Sequence, residues 1–191
     1  MQRTLAQAGW TLDDLDGIAF GSGPGAFTGL RVVCGVVQGL ALGSGLPVAG
    51  VPSLVAVAQA AWRAHGVTRV VACLDARMHE VYVAACRRRD GDWLVEAEPA
   101  VARPDDVALH GVASPGGFGA GDGFAVAPSL ATRLGLTGVD ATIVPDAVDV
   151  AALAAPAFAA GRGRPAGDAQ PLYVRHRVAL TEAERAAGAR M

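Results

Sequence analysis

Apolar positions along this chain change their rhythm about a third of the way in. Before that point they come as short runs broken by glycine and proline. Gly17 to Phe20 has the length of a buried strand, Phe27 to Leu42 is a long apolar stretch, and Pro47 to Val51 is a second strand. Pro52-Ser53 then opens a helix that runs to His65 and stops at Gly66. Strand alternating with helix predicts a parallel sheet with helices on its faces. Upstream, Gln2 to Ala8 reads as a helix ended by Gly9, and Thr11 caps a helical turn to Leu15.

From Arg69 onward the pattern predicts strands at Arg69–Asp75, Glu80–Cys86 and Trp93–Ala97. Ala76–His79 and Asp90-Gly91 join them, and the second is a strong hairpin signal. This segment reads as an antiparallel meander. Downstream come a short helix at Pro104–Leu109, a glycine-rich strand-end loop at Val112–Gly123 and a helix at Pro128–Leu134. A strand at Ala141–Val144 and an alanine-rich helix at Val148–Ala160 follow, the helix kinked by Pro156. Gly161–Asp168 is a flexible connection, Leu172–Val178 an extended segment, and Thr181–Met191 a polar tail.

The Phe27–Leu42 helix is unusual. Gly35, Gly39 and Gly43 recur every fourth residue and share a face. Each costs about 1 kcal/mol of helix stability relative to alanine. Close packing of another helix on that smooth face is the simplest compensation. Leu30, Val33, Val36, Val37 and Leu40 make the remaining surface apolar too, and a helix apolar all round is expected to be buried all round. Two coverings fit: the chain's own domain, or a second protein. Arg31 stands in the first turn, where the helix dipole disfavours a cation. It calls either for an anionic partner or for a snorkelling side chain.

Just before this helix lies Gly21-Ser22-Gly23-Pro24-Gly25. Glycine allows close backbone approach, and a helix N-terminus attracts anions, so Gly21, Ser22, Gly23 and Gly25 are candidates for a phosphate-cradling loop. The Lys-Ser/Thr of a nucleoside-triphosphate loop is missing, as is the dinucleotide glycine spacing. Ser22 and Ser53 also lack the Gly-x-Ser-x-Gly context of a hydrolase nucleophile.

Composition narrows the reading. A chain of 191 residues with 52% hydrophobic residues can bury one core or two small lobes. Aromatics are 5% and the net charge is -2, which argues against an extensive RNA-stacking platform or a large basic footprint. Cys34, Cys73 and Cys86 form no metal or redox spacing and sit in apolar runs, as reduced core thiols of a cytoplasmic protein do. No uninterrupted apolar run reaches membrane-spanning length, and no secretory leader is evident at the N-terminus. His65 falls at a helix end, where a cation is favourable, and reads otherwise as a solvated residue. His79, with Asp75, Arg77 and Glu80, makes either a contact turn or a solvated hairpin connection. Arg87-Arg88-Arg89 could meet RNA phosphate but reads more simply as a solvated hairpin tip.

The run Gly23-Pro24-Gly25-Ala26-Phe27-Thr28-Gly29-Leu30-Arg31-Val32, with Gln38-Gly39-Leu40-Ala41-Leu42 and Pro47-Val48-Ala49-Gly50-Val51, resembles the TsaB family. So do Leu74-Asp75-Ala76-Arg77-Met78-His79-Glu80-Val81-Tyr82, Gly119-Ala120-Gly121 and Pro171-Leu172-Tyr173-Val174-Arg175. The resemblance extends from about Gly17 to Val178. It implies an α/β, actin-like ATPase (ribonuclease H-like) fold of two lobes. Residues 1–67 would form the first lobe, 68–147 the second, and 148–191 a C-terminal helix, returning segment and tail. In that fold each lobe starts with a meander, and the first lobe here shows none, so its opening strands are expected to be missing from this sequence.

By the same resemblance the protein is a non-catalytic partner subunit in the synthesis of N6-threonylcarbamoyladenosine in tRNA. It would bind and activate the catalytic subunit TsaD, with the ATPase TsaE joining the assembly and tRNA engaged only indirectly. When it is alone, a homodimer and a monomer both remain open. The docking face would use Leu30, Arg31, Val33, Cys34, Gly35, Val37, Gln38 and Gly39. No cofactor of its own is expected, with ATP at most at the interface of the complex. The catalytic relatives carry Gly-Val-x-His-x-x-x-His, two metal-binding histidines on one helix face; here Ser53 and Val57 hold those positions. The alternative reading is an enzyme in its own right, an actin-like ATP-dependent transferase or a metallopeptidase-like protein, and the missing histidines count against it.

Overall fold

The computed structural model describes residues 2–109 and 116–175. Expectations for His110, His176, residues 112–115 and the tail from 176 lie outside them. The chain divides into two compact units: Met1–Ala60 with Pro145–Leu172, and Ala61–Val144 with the segment from Tyr173. This corrects the sequence-based boundaries, which made 148–191 a separate piece. Val150 and Ala154 pack with Val51 and Ala56 in one core cluster, so the C-terminal helix belongs to the first unit.

In the first unit, helix α1 (Gln2–Ala8) leads to strand β1 (Ile18–Gly23), helix α2 (Phe27–Ser44), strand β2 (Val48–Pro52) and helix α3 (Ser53–His65). The unit division falls inside α3. Strands β1 and β2 form a parallel two-stranded sheet, Ile18 opposite Val48 and Phe20 opposite Gly50. Side chains alternate across a strand. Phe20 and Val48 accordingly meet Cys34, Val37 and Ala41 of α2, while Ala19 and Ala49 face the cluster of Val51, Ala56, Val150 and Ala154. The edge of β2 is tied at Val48, whose N–H donates to the Arg164 carbonyl at 2.8 Å and whose carbonyl accepts from Arg164 at 2.9 Å. Among the described residues no strand pairs with the other edge of β1.

The second unit is a five-stranded sheet. Its strands are β3 (Arg69–Arg77), β4 (Glu80–Arg89), β5 (Asp92–Ala102), β6 (Phe118–Ala120) and β7 (Gly138–Asp140), in the order β5-β4-β3-β6-β7. The first three make the expected antiparallel meander; β6 and β7 run parallel to β3. Helices α4 (Gly123–Val126) and α5 (Ser129–Arg133) place Phe124 and Leu130 against Val71, Cys73, Val81 and Val83. Two local expectations fail. The glycine-rich stretch contains strand β6 as well as loop. The strand expected at Ala141–Val144 ends instead at Asp140, whose carboxylate Oδ1 accepts from the Thr142 N–H at 2.9 Å and its hydroxyl at 2.6 Å, turning the chain. Helix α6 (Ala147–Ala159) is capped by the Asp146 carboxylate, which accepts from the Val148 N–H at 2.8 Å, and continues past Pro156.

Asp140 also meets His65 at 2.8 Å, with the His65 ring beside Phe118, so His65 is an engaged residue. The hydrogen bonds from Thr142 and then from His65 hold the Asp140 carboxyl down at about 2. A depressed carboxyl stabilises the fold above its unfolded value of about 4 and loses that contribution as pH falls toward about 2. Asp140 is partly solvated, so screening reduces the effect to about 1 kcal/mol. Thermal unfolding of D140N should therefore show a melting temperature a few degrees lower than wild type at pH 6, with the gap closing by pH 2. A constant gap across that range would show that the ionised carboxylate contributes nothing.

Candidate functional site

Helix α2 carries two opposed stripes. Cys34, Val37 and Ala41, spaced by three and four residues, turn toward the unit's own core, and Leu30, one turn before Cys34, lies half-buried against Gly23. Gln38 flanks them and donates from Nε2 to the Ala169 carbonyl at 3.0 Å. On the other side Thr28, Val32, Gly35, Gly39 and Leu42 repeat the same four-three spacing, and all are exposed. Val32, Val36 and Leu42 are exposed by 59%, 55% and 81%, large values for apolar side chains. A Cβ added at Gly35, Gly39 or Gly43 would meet nothing within 4 Å. The reading in which another element of this chain covers the glycine face is therefore overturned among the described residues.

The structure also divides the expected docking residues. Arg31, Val33, Gly35 and Gly39 lie exposed, and Leu30 and Gln38 are half-buried. Cys34 and Val37 are buried in the core, so they are corrected from docking to packing residues. Sequence reasoning missed Val32, Val36 and Leu42 as free surface, because a helix apolar on every side gives no clue to which side its own sheet takes. Arg31 finds its partner one turn back: its guanidinium lies 3.9 Å from the centre of the Phe27 ring. By length and a mean hydropathy of 1.3, α2 is the one helix among the described residues able to cross a membrane, a property its interrupted apolar run did not predict.

The glycine loop before α2 is closed. Ser22 and Gly23 are buried. The Ser22 carbonyl accepts from the Leu172 N–H at 2.7 Å. A Cβ at Gly23 would stand 2.9 Å from Leu30 Cδ1 and 3.0 Å from the Leu172 carbonyl, and Gly25 also faces Leu30. Leucine thus packs beside Gly23, whereas Gly21 lines a cavity of about 810 Å³ together with Gly17, Ala19 and Asp146. The glycines serve close packing of the strand–turn–helix junction.

Candidate chemistry elsewhere is sparse. Among the described residues no three His, Cys, Asp or Glu side chains gather as metal ligands. Ser53 and Val57 are buried on α3. Burial pushes the Cys73 and Cys86 thiols up to about 12 and raises Cys34, the opposite of an activated nucleophile. The arginine triplet is engaged within the chain: Arg87 with Glu96 at 2.6 Å, Arg88 over the Trp62 ring at 3.9 Å, and Arg89 with Asp90 at 3.4 Å.

The family model of TsaD, tRNA N6-adenosine threonylcarbamoyltransferase, matches residues 1–160. The tRNA threonylcarbamoyladenosine biosynthesis protein TsaB of Escherichia coli K12 is 40% identical over 182 residues, covering 94% of this chain and 79% of that protein. The chain belongs to the TsaB family. The Haemophilus influenzae TsaB is 37% identical, covering 91% of this chain and 76% of its own length. YeaZ from Pseudomonas aeruginosa superposes with a TM-score of 0.81 at 40% identity, over 90% of this chain and 79% of that structure. The fold is the actin-like, ribonuclease H-like α/β fold that the resemblance implied. The similarity spans both units, and the α2 stripe lies within the matched residues.

Proposed function

We propose that this chain is a non-catalytic, cytoplasmic subunit of the machinery that makes N6-threonylcarbamoyladenosine in tRNA, docking onto the catalytic subunit TsaD through α2. The observation that carries the reading is the uncovered stripe of Val32, Gly35, Val36, Gly39 and Leu42. The four-three spacing of Val32, Gly35, Gly39 and Leu42, with Val36 beside them, suits a partner helix crossing at about 20°, and Gly35 and Gly39 let that helix approach closely. Apolar surface of this kind on a soluble domain marks a contact site. The relatives' role in threonylcarbamoyladenosine biosynthesis supports the assignment of the pathway.

In this reading TsaD performs the transfer chemistry, TsaE joins the assembly, and tRNA is bound only through the partners. Any ATP sits at the interface of the complex. The same stripe, presented by two copies, makes a homodimer when TsaD is absent. Val36→Glu tests the docking face. Val36 is exposed, so the variant should melt within about 2 °C of wild type, because surface substitutions usually change stability by less than about 0.5 kcal/mol. Burying its carboxylate against an apolar partner should abolish co-purification with TsaD and reduce tRNA modification at least about tenfold. Normal co-purification of this variant would remove α2 as the docking face.

A further inference from the structure

The stripe on α2 is too small to hold a partner alone. A stable interface covers about 800 Å² on each side. α2 has 18 residues and is about 27 Å long, so a strip about 10 Å wide along one face has a footprint of about 270 Å². That falls short even with side-chain relief added, so a stably held partner must reach past the helix. At the C-terminal end the way is open. Leu42, the last residue of the stripe, is 81% exposed and also lines a cavity of about 380 Å³.

The cavity is built within the first unit from two facing segments. Leu46 and Pro47 lead into β2 on one side, and residues 163–166 stand on the other. The paired backbone bonds between Val48 and Arg164 join the two walls. A Cβ at Gly163 would stand 2.5 Å from Pro47 Cβ, so only glycine permits this approach. Proline fixes its own φ, and Pro47 and Pro165 stand on opposite walls. The hollow is thus shaped before anything enters it. Its charged side chain, Arg164, is already matched: the guanidinium donates from Nε and Nη2 to Asp168 Oδ2, at 2.9 Å in each case.

We propose that TsaD anchors one uncharged apolar side chain, aromatic or leucine, in this cavity, next to the stripe that its helix covers. The volume is at the small end for a ligand site and suits a single side chain. A charged group would find no free counter-charge there and would lose its hydration, so the walls select an apolar one. Anchors seated in preformed hollows carry much of the energy of an interface, and a rigid hollow costs little to fill. A second copy is poorly matched to the role. In an antiparallel two-fold pair of α2 helices the start of the second helix lies over the cavity. The apolar group available there, Phe27, is already stacked by Arg31 at 3.9 Å.

This proposal rests on the reading of α2 as the TsaD docking face, and the test separates the two. Pro165 is exposed on the cavity wall, and its φ of -59° suits any residue. Pro165→Ala, Pro165→Leu and Pro165→Trp in the full chain are titrated against TsaD beside Val36→Glu. All three Pro165 variants should melt within a few degrees of wild type. Pro165→Ala should bind within about threefold of wild type, while leucine and then tryptophan fill the hollow and weaken binding progressively, by at least about tenfold for tryptophan. Should the tryptophan form not fold, the leucine form carries the same comparison with alanine. Equal affinities across the series, with Val36→Glu unable to bind, would overturn the anchor and leave the docking face standing. Normal binding by Val36→Glu would overturn the docking face and the anchor with it. A Pro165→Trp chain that loses self-association yet binds TsaD as wild type does would put a second copy in the cavity and overturn the proposal too.

Discussion

Gly39→Leu should make the isolated chain more stable and its complex much weaker. A Cβ at Gly39 enters open space, so leucine meets no obstacle within the chain. Replacing an interior helical glycine with a strong helix former gains about 0.5–1 kcal/mol, or about 2–3 °C in melting temperature for a chain of this size. At the docking face the same side chain fills the shallow strip in which a partner helix would lie. Overpacking a close helix contact of this kind should weaken TsaD binding by about 1–3 kcal/mol, which is about 5- to 150-fold in Kd. The opposite signs are the informative part. Calorimetry on the isolated variant and titration against TsaD measure the two effects separately. A variant that is both stabilised and fully competent to bind would leave the glycine stripe without a docking role.

Gly121→Ala should be the most damaging small substitution in the second unit. Gly121 has φ of 117°, a conformation that side chains rarely adopt. A Cβ there would lie 2.0 Å from the Cys73 carbonyl oxygen, and backbone atoms of the central strand β3 have nowhere to retreat. The displaced segment links β6 to α4, so Phe124 and its contacts with Val71 and Cys73 would move with it. We expect a loss of about 4 kcal/mol or more, at the severe end for point substitutions, seen as insoluble expression or a melting temperature lower by more than about 10 °C. A soluble variant melting near wild type would mean that β6 and β3 are not held at this distance in solution.

Most of the elements were legible because their signals are local. Gly9, Gly66 and Asp90-Gly91 end elements where the sequence places them, and α3 starts at Ser53 and ends at His65 as its flanks predict. The strand expected at Ala141–Val144 was misplaced because the decisive interaction, Thr142 folding back on Asp140, is a side-chain event inside an apolar-looking run. The return of α6 to the first unit was equally hidden. Alanines and valines in that helix say that it is buried without saying against which sheet.

The candidate site was legible as a helix but not as a surface. Gly35 and Gly39 pointed to close packing, yet only the core contacts of Cys34 and Val37 reveal which half of α2 remains for a partner. The packing around Gly23 was hidden for a related reason. Glycine-rich turns that admit a ligand and those that admit a leucine look alike in sequence, and here Leu30 and Leu172 take the space.

The glycine stripe also bears on how the unpartnered chain behaves over time. Gly35, Gly39 and Gly43 together lower the intrinsic stability of α2 by about 3 kcal/mol relative to alanine, and one long face receives no packing from the described residues in return. Such a helix belongs to the regions that open locally before the whole unit does. A ligand that binds only the closed form adds its occupancy to the stability of the fold. In the proposed reading, amide hydrogen exchange along α2 then becomes a gauge of coverage: rapid in the free monomer, slowed as a second copy or TsaD occupies the stripe. In that reading, cleavage at the opened helix would selectively clear monomeric copies, and the supply of a partner for the stripe would set how much of this protein persists.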